Sequence, residues 1–232
     1  QFREKMEFVR NFNVPLAWRN QYCGVFKMCH QGVVYYFLDN EYYFKREGEI
    51  AYLYGYGDDA ERYTFFSNAV LEAMSILNFY PDIVHLNDWH TGMIPLILKE
   101  KYSHSKKYKN IKTVYTIHNL QYQGVFSDSI IEDVLDIPRA YYNNGDIEYY
   151  GGVSFMKSGI VFSDKVIAVS PTYSNEIQTE FYGEGLDGLL KSKSHKLKGI
   201  LNGIDYDLNN PLTDGDIFVN YDINSIDKKI EN

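Results

Sequence analysis

The chain has 232 residues, with 23 basic against 31 acidic side chains and a formal charge of -8. Hydrophobic residues make up 45% and charged ones 23%, enough apolar mass for a packed core, which excludes an intrinsically disordered chain. The acidic balance offers no basic footprint for nucleic acid, and no apolar run approaches the ~20 residues that cross a bilayer, so neither partner is expected.

Residues 33–38, VVYYFL, form a continuous apolar run that predicts a strand buried on both faces. A helix is predicted over residues 60–77, where Tyr63, Phe66, Val70, Met74 and Leu77 recur at spacings of three and four. Pro81 breaks the chain, and residues 82–86 read as the next strand. Residues 91–102 read as helix, with Thr91 as its cap and Met93, Ile94, Ile97 and Leu98 turned inward. Residues 111–117 return as a β-branched strand. Helices are predicted over 128–135 and 154–162, with loops at 143–146 and 151–152 between them. Residues 165–169 form a strand, and Ser170-Pro171 opens a helix with a cap and a proline in its first turn. The last strand is predicted over 197–201, and residues 213–232 read as a polar connector.

Short apolar strands alternating with amphipathic helices imply βαβ units. The expected fold is therefore α/β, a Rossmann-like open parallel sheet with helices on both faces. In such sheets, ligands bind beyond the carboxyl ends of the strands. Four predicted strands end there in polar clusters: Asn87-Asp88-Trp89-His90, His118-Asn119, Ser170, and Asn202-Gly203-Ile204-Asp205. Together they point to a polar, hydroxyl-rich ligand.

Other chemistries find less support. His85 and His90 do not have metal-pair spacing on a helix, so no metal is expected. Cys23 and Cys29 match neither a redox pair nor a zinc pair, and are expected as reduced thiols in a cytosolic protein. No Gly-x-Ser-x-Gly elbow supplies a hydrolase nucleophile. Gly183-Glu184-Gly185-Leu186-Asp187-Gly188 matches the dinucleotide fingerprint letter for letter, but a predicted helix precedes it where the fingerprint needs a strand.

Four segments carry a resemblance. Residues 81–92, PDIVHLNDWHTG, are similar to a motif of bacterial glycogen synthases and plant starch synthases. So are 116–124, TIHNLQYQG, 168–173, AVSPTY, and 199–205, GILNGID. Residues 14–46 also resemble the bacterial enzymes, so the likeness covers essentially the whole chain. It implies part of a GT-B glycosyltransferase that moves glucose from ADP-glucose to the non-reducing 4-hydroxyl of an α-1,4-glucan, with retention. Residues 1–212 would be the N-terminal catalytic domain without its opening strand and Lys-x-Gly-Gly loop. Residues 213–232 would lead toward an absent C-terminal domain, so this piece is expected to be inactive alone. The first residue, Gln1, fits a piece of a longer chain.

In the resemblance, His118 matches a histidine beside the transferred glucose, and Asp88 an aspartate that orients or deprotonates the acceptor hydroxyl. These two are the expected catalytic residues. Tyr56 stands where the family places a cleft tyrosine, with the alignment open by one or two positions. Asn119, Gln123, Asn202 and Gly203 are expected to shape the substrate pocket, and several of the 22 tyrosines (Tyr22, Tyr35, Tyr42, Tyr43, Tyr56 and Tyr122) to line it. No cofactor is expected beyond the donor ADP-glucose. The expected compartment is the bacterial cytoplasm, or a plastid for a plant source. Two other readings compete: a glucan-binding module without catalysis, and a nucleotide-sugar transferase with another acceptor.

Overall fold

The computed structural model describes residues 3–46 and 54–232. The chain first forms an antiparallel meander of β1 (Glu7–Leu16), β2 (Arg19–His30) and β3 (Val33–Asp39). Two-residue turns join the strands, with Ala17, Gln31 and Gly32 at positive φ, the backbone hand that suits tight hairpins. Pro15 is tolerated because β1 is an edge strand. Val14, Leu16, Cys23 and Val25 are fully buried.

The run at 33–38 is a strand, but not the doubly buried one expected. Among the described residues β3 pairs with β2 alone, and Val33, Val34, Tyr35 and Tyr36 are exposed. The run reflects β propensity on an open sheet edge, not burial in a parallel core.

The short α1 (Glu41–Phe44) is capped by Asn40, whose side chain accepts from the Tyr43 N–H. Helix α2 (Asp59–Ile76) forms where periodicity placed it. It is buried nearly all round: Phe65, Ala69 and Leu71 are sealed in the core, while Phe66, Val70 and Leu77 from the expected stripe are half-exposed. Thr64 and Ser67 are also buried, because their hydroxyls donate to the carbonyls of Ala60 and Tyr63 one turn back.

The rest of the chain supplies β4 (Ile83–Asn87), α3 (Ile94–Ile97), β5 (Lys112–Ile117), β6 (Val125–Ser127), α4 (Ala140–Asn143), β7 (Glu148–Tyr149), β8 (Gly152–Ser154), α5 (Phe155–Phe162), β9 (Lys165–Ala168), α6 (Pro171–Glu176), α7 (Asp187–Ser192) and β10 (Leu197–Gly199). The parallel sheet has the order β10-β9-β5-β4, and β6-β8-β7 form a small antiparallel sheet. Tyr115, Ile117, Val166 and Ala168 are buried in the parallel sheet, against a core that includes Met93, Ile97, Phe155 and Ile160.

The predicted helix at 91–102 breaks into a 3-10 turn at Trp89–Thr91, then α3, then a π-helical turn at Leu98–Tyr102. Thr91 is not its cap. Its hydroxyl accepts from the Asn87 N–H and donates to the Asn87 carbonyl, both at 2.9 Å, and so braces the strand end. Ser170 does cap α6, accepting from the Tyr173 N–H, with Pro171 in the first turn. The strand expected over 197–201 stops at Gly199, where the chain divides into two compact units, Gln1–Gly199 and Ile200–Asn232. The second unit is built mainly of turns and ends in a 3-10 helix at Ile226–Glu231.

Candidate functional site

Parallel pairing sets the strand ends level. Asn87 lies opposite Thr116, Ile117 opposite Ala168, and Ala168 opposite Gly199. The residues that follow β4, β5 and β9 therefore emerge at one carboxyl edge, where an open α/β sheet places its ligands.

Asp88, directly after β4, has φ +54, an uncommon conformation for a residue with a Cβ. Its backbone N–H donates to the Thr116 carbonyl at 3.0 Å, and its Oδ1 accepts from the His118 N–H at 2.8 Å. The carboxylate thus latches the end of β4 to the end of β5. His118 Nε2 lies 3.0 Å from Asn87 Oδ1. With the amide oxygen accepting, Nε2 carries the proton and Nδ1 is left as an acceptor. Asp88 and His118, 30 residues apart in sequence, form one cluster with Asn87.

Behind the cluster sits Trp89, 4% exposed and stacked on His90 with ring centroids 4.0 Å apart. Tyr63 meets both rings edge-on, at 4.8 Å and 4.7 Å. Burial holds the His90 pKa below its ordinary value, against the opposite pull of Asp88 and Asp59.

Of the tyrosines at 54 and 56, it is Tyr54 that packs on the rings behind this cluster. Its ring lies 5.2 Å from His90, 6.0 Å from Trp89 and 6.1 Å from Tyr122, and both Tyr54 and Tyr122 are exposed on their other sides. Tyr56 instead lies under two guanidinium groups, Arg46 at 4.6 Å and Arg62 at 5.1 Å. The cause is Asp59, whose Oδ2 accepts from the Gly55 and Tyr56 N–H groups while Oδ1 pairs with buried Arg62 at 2.8 Å. That turn carries Tyr56 to the arginines and leaves Tyr54 against Trp89 and His90.

Asn119 is exposed beside His118, and its Oδ1 accepts from the Gln121 N–H, which shapes the loop. The loop is tied to α6 by the Leu120 N–H donating to the Tyr173 hydroxyl at 2.9 Å. Gln123, expected at the pocket surface, is buried. Its amide donates to the Glu184 carbonyl at 2.8 Å and lies 3.3 Å from the Tyr149 hydroxyl, so it braces the loop from inside. Asn202 and Gly203 belong to the second unit and are exposed there.

The tyrosines are also redistributed. Tyr43 is fully buried and donates to Glu61; Tyr102 and Tyr141 donate likewise to Glu72 and Glu100. Tyr43 is a core residue with a carboxylate partner and cannot line a pocket, and Tyr102 and Tyr141 pack half-buried against the core. Tyr22, Tyr35 and Tyr42 are exposed on or beside the meander. The 183–188 segment follows turns after α6, not a strand, so it lacks the context of a dinucleotide loop. Cys23 and Cys29 are free thiols, the first buried and pushed up to about 12 by that burial. Among the described residues, no group of three or more His, Cys, Asp or Glu side chains is placed to hold a metal ion, and no helix is long and apolar enough to cross a membrane.

A parallel sheet with helices and a polar carboxyl edge matches the Rossmann-like fold of GT-B glycosyltransferases. Among solved structures, the catalytic domain of starch synthase IV from Arabidopsis thaliana, bound to ADP and acarbose, aligns with a TM-score of 0.82 at 28% identity, covering 97% of this chain and 46% of that one. A glycogen synthase of Clostridioides difficile (strain 630) is 64% identical over 230 residues, which are 99% of this chain and 48% of that protein. A glycogen synthase of Caldicellulosiruptor saccharolyticus is 53% identical over 228 residues, covering 98% and 47%. Residues 1–192 match the starch synthase catalytic domain, and the chain belongs to that family. It spans about half the length of the curated relatives it matches.

Proposed function

We propose that the chain is the acceptor-side half of a glycogen or starch synthase, which transfers glucose from ADP-glucose to the non-reducing 4-hydroxyl of an α-1,4-glucan with retention. The observation that carries this reading is the Asn87, Asp88 and His118 cluster at the carboxyl edge, in a chain 64% identical to a glycogen synthase. Asp88 Oδ1 is held by the His118 N–H, while its Oδ2 has no hydrogen-bond partner among the described residues and can accept from an acceptor hydroxyl. His118 offers Nδ1 to a sugar hydroxyl, and the exposed rings of Tyr54 and Tyr122 offer faces to a pyranose. Positioning and electrostatics then carry the reaction. The second half of the protein would supply the groups that hold the donor phosphates, with no cofactor besides the donor, in a bacterial cytoplasm. Residues 1–212 would form the catalytic domain and 213–232 its connector.

The test is glucosyl transfer by the full-length protein containing this half, with ADP-glucose and maltoheptaose. Asp88→Asn and His118→Ala should each lower kcat by ~100-fold or more, the range for a positioned acid-base group. A folded full-length protein that uses another donor, or whose Asp88→Asn form retains full activity, would refute the assignment. Binding of maltoheptaose with no transfer from any nucleotide sugar would favour the non-catalytic glucan module instead.

A further inference from the structure

At the opposite end of the parallel sheet lies a hollow of about 220 Å3 that the proposed transfer does not use. Lys112 and Thr113, at the start of β5, and Asp164, just before β9, form its floor, and Lys99, Ser103, Lys109 and Phe162 its walls.

The sequence around it is unusual for a chain with a formal charge of -8. Residues 99–112, KEKYSHSKKYKNIK, hold six lysines and a single acidic residue. Three of those lysines, Lys99, Lys109 and Lys112, face the hollow. Its one carboxylate is already engaged: Asp164 Oδ1 pairs with Lys112 at 2.9 Å, and Oδ2 accepts from the Thr113 N–H at 2.9 Å and from the Thr113 hydroxyl. Lys99 lies over the Phe162 ring at 5.1 Å, while the Lys109 ammonium and the Ser103 hydroxyl have no hydrogen-bond or ion-pair partner among the described residues. Lys196 adds a further positive charge behind the wall, donating to the carbonyls of Val161 and Ser163 at 2.9 Å and 2.6 Å.

We propose that this hollow binds a small phosphate-bearing anion. Free ammonium and hydroxyl donors converge on it, its local charge is positive, and its only carboxylate is neutralised by its own neighbours. A hollow of about 220 Å3 has room for a phosphate or a sugar monophosphate. The position at the amino edge keeps such a ligand clear of Asp88 and His118, so it does not compete with a substrate there.

The experiment is calorimetric titration at constant ionic strength with two probes, inorganic orthophosphate and glucose 1-phosphate. Saturable binding of either supports the proposal, and the tighter of the two identifies a free phosphate or a sugar phosphate as the source. The paired change K99A/K109A should weaken that binding by ~10-fold or more, the cost of losing charge-assisted hydrogen bonds. K106A, in the same basic segment but outside the hollow, should leave it within about twofold. All three lysines are exposed, so the variants should keep the parent's melting temperature, and amide shifts of Lys112 and Thr113 report the site directly. No saturation with either probe, or equal losses in K106A and K99A/K109A, would overturn the proposal and leave only diffuse attraction of ions.

Discussion

Gly124→Ala tests whether the candidate site is braced from behind. Gly124 has φ +59, and a Cβ there would lie 2.3 Å from Trp89 Cε3 and 2.6 Å from Cδ2. The left-handed conformation costs a residue with a Cβ ~1–2 kcal/mol. The overlap adds a second cost, because the indole would have to retreat by about 1 Å into the rings of Tyr63, Phe126 and Phe155, and such overpacking costs ~1–3 kcal/mol. The expected total is ~2–5 kcal/mol. Gly145 supplies the control: its φ is +78, but a Cβ would meet nothing within 4 Å, so Gly145→Ala should show the backbone cost alone, ~1–2 kcal/mol. Urea unfolding followed by tryptophan emission measures both. Only Trp18 and Trp89 contribute, so a Trp18→Phe background makes the signal report Trp89 alone. If Gly124→Ala is no more destabilising than Gly145→Ala, Trp89 is free to move and the bracing argument fails.

Three further outcomes follow from the same geometry. Asp88→Asn keeps an oxygen for the His118 N–H and should unfold within about 0.5 kcal/mol of the parent, whereas Asp88→Ala should cost ~1–2 kcal/mol in the same urea assay. Tyr43→Phe, which strips Glu61 of a buried donor, should destabilise by ~1–2 kcal/mol, and Tyr42→Phe at an exposed ring should not; equal effects would reject the core assignment of Tyr43. Burial puts the His90 pKa below its ordinary 6.5, so the unfolded chain binds more protons in that window. His90 thus contributes fully above about 6.5, and stability falls as the pH drops below it. The loss between about pH 7.5 and about pH 5 should be smaller in His90→Gln, and an unchanged loss would count against a half-buried imidazole held neutral.

The sequence disclosed the parallel sheet more fully than the meander. Apolar β runs at 83–87, 112–117 and 165–168 lie between breakers and helices, and their order alone brings Asp88 and His118 to one edge. In the first strand Phe12, Val14 and Leu16 do alternate with Asn11, Asn13 and Pro15, but Pro15 argues against a strand unless the edge position is known, and the second strand opens on three consecutive polar residues, Arg19, Asn20 and Gln21. Within the site, Asp88 and His118 were legible as strand-end residues, but the choice between Tyr54 and Tyr56 was not. Both follow the same local pattern, and the decision rests on Asp59 gathering the amides of Gly55 and Tyr56, a tertiary fact. Gln123 was misplaced for a related reason: an amide in a polar loop looks available until Tyr149 and Glu184 arrive from distant sequence.

Strand β5 is fastened at both ends. At its start, Asp164 holds Lys112 and Thr113, and the Lys112 N–H donates to the Asp82 carbonyl at 2.9 Å. At its finish, Asp88 holds His118. A slip of two residues along its neighbours would preserve the alternation of faces, so alternation alone does not forbid it. Here a slip would break the fastening at one end or the other, so the strand behaves as a gauge of fixed length. Insertions or deletions of even two residues within Lys112–Ile117 should be far less tolerated than the same change after β10, a three-residue edge strand.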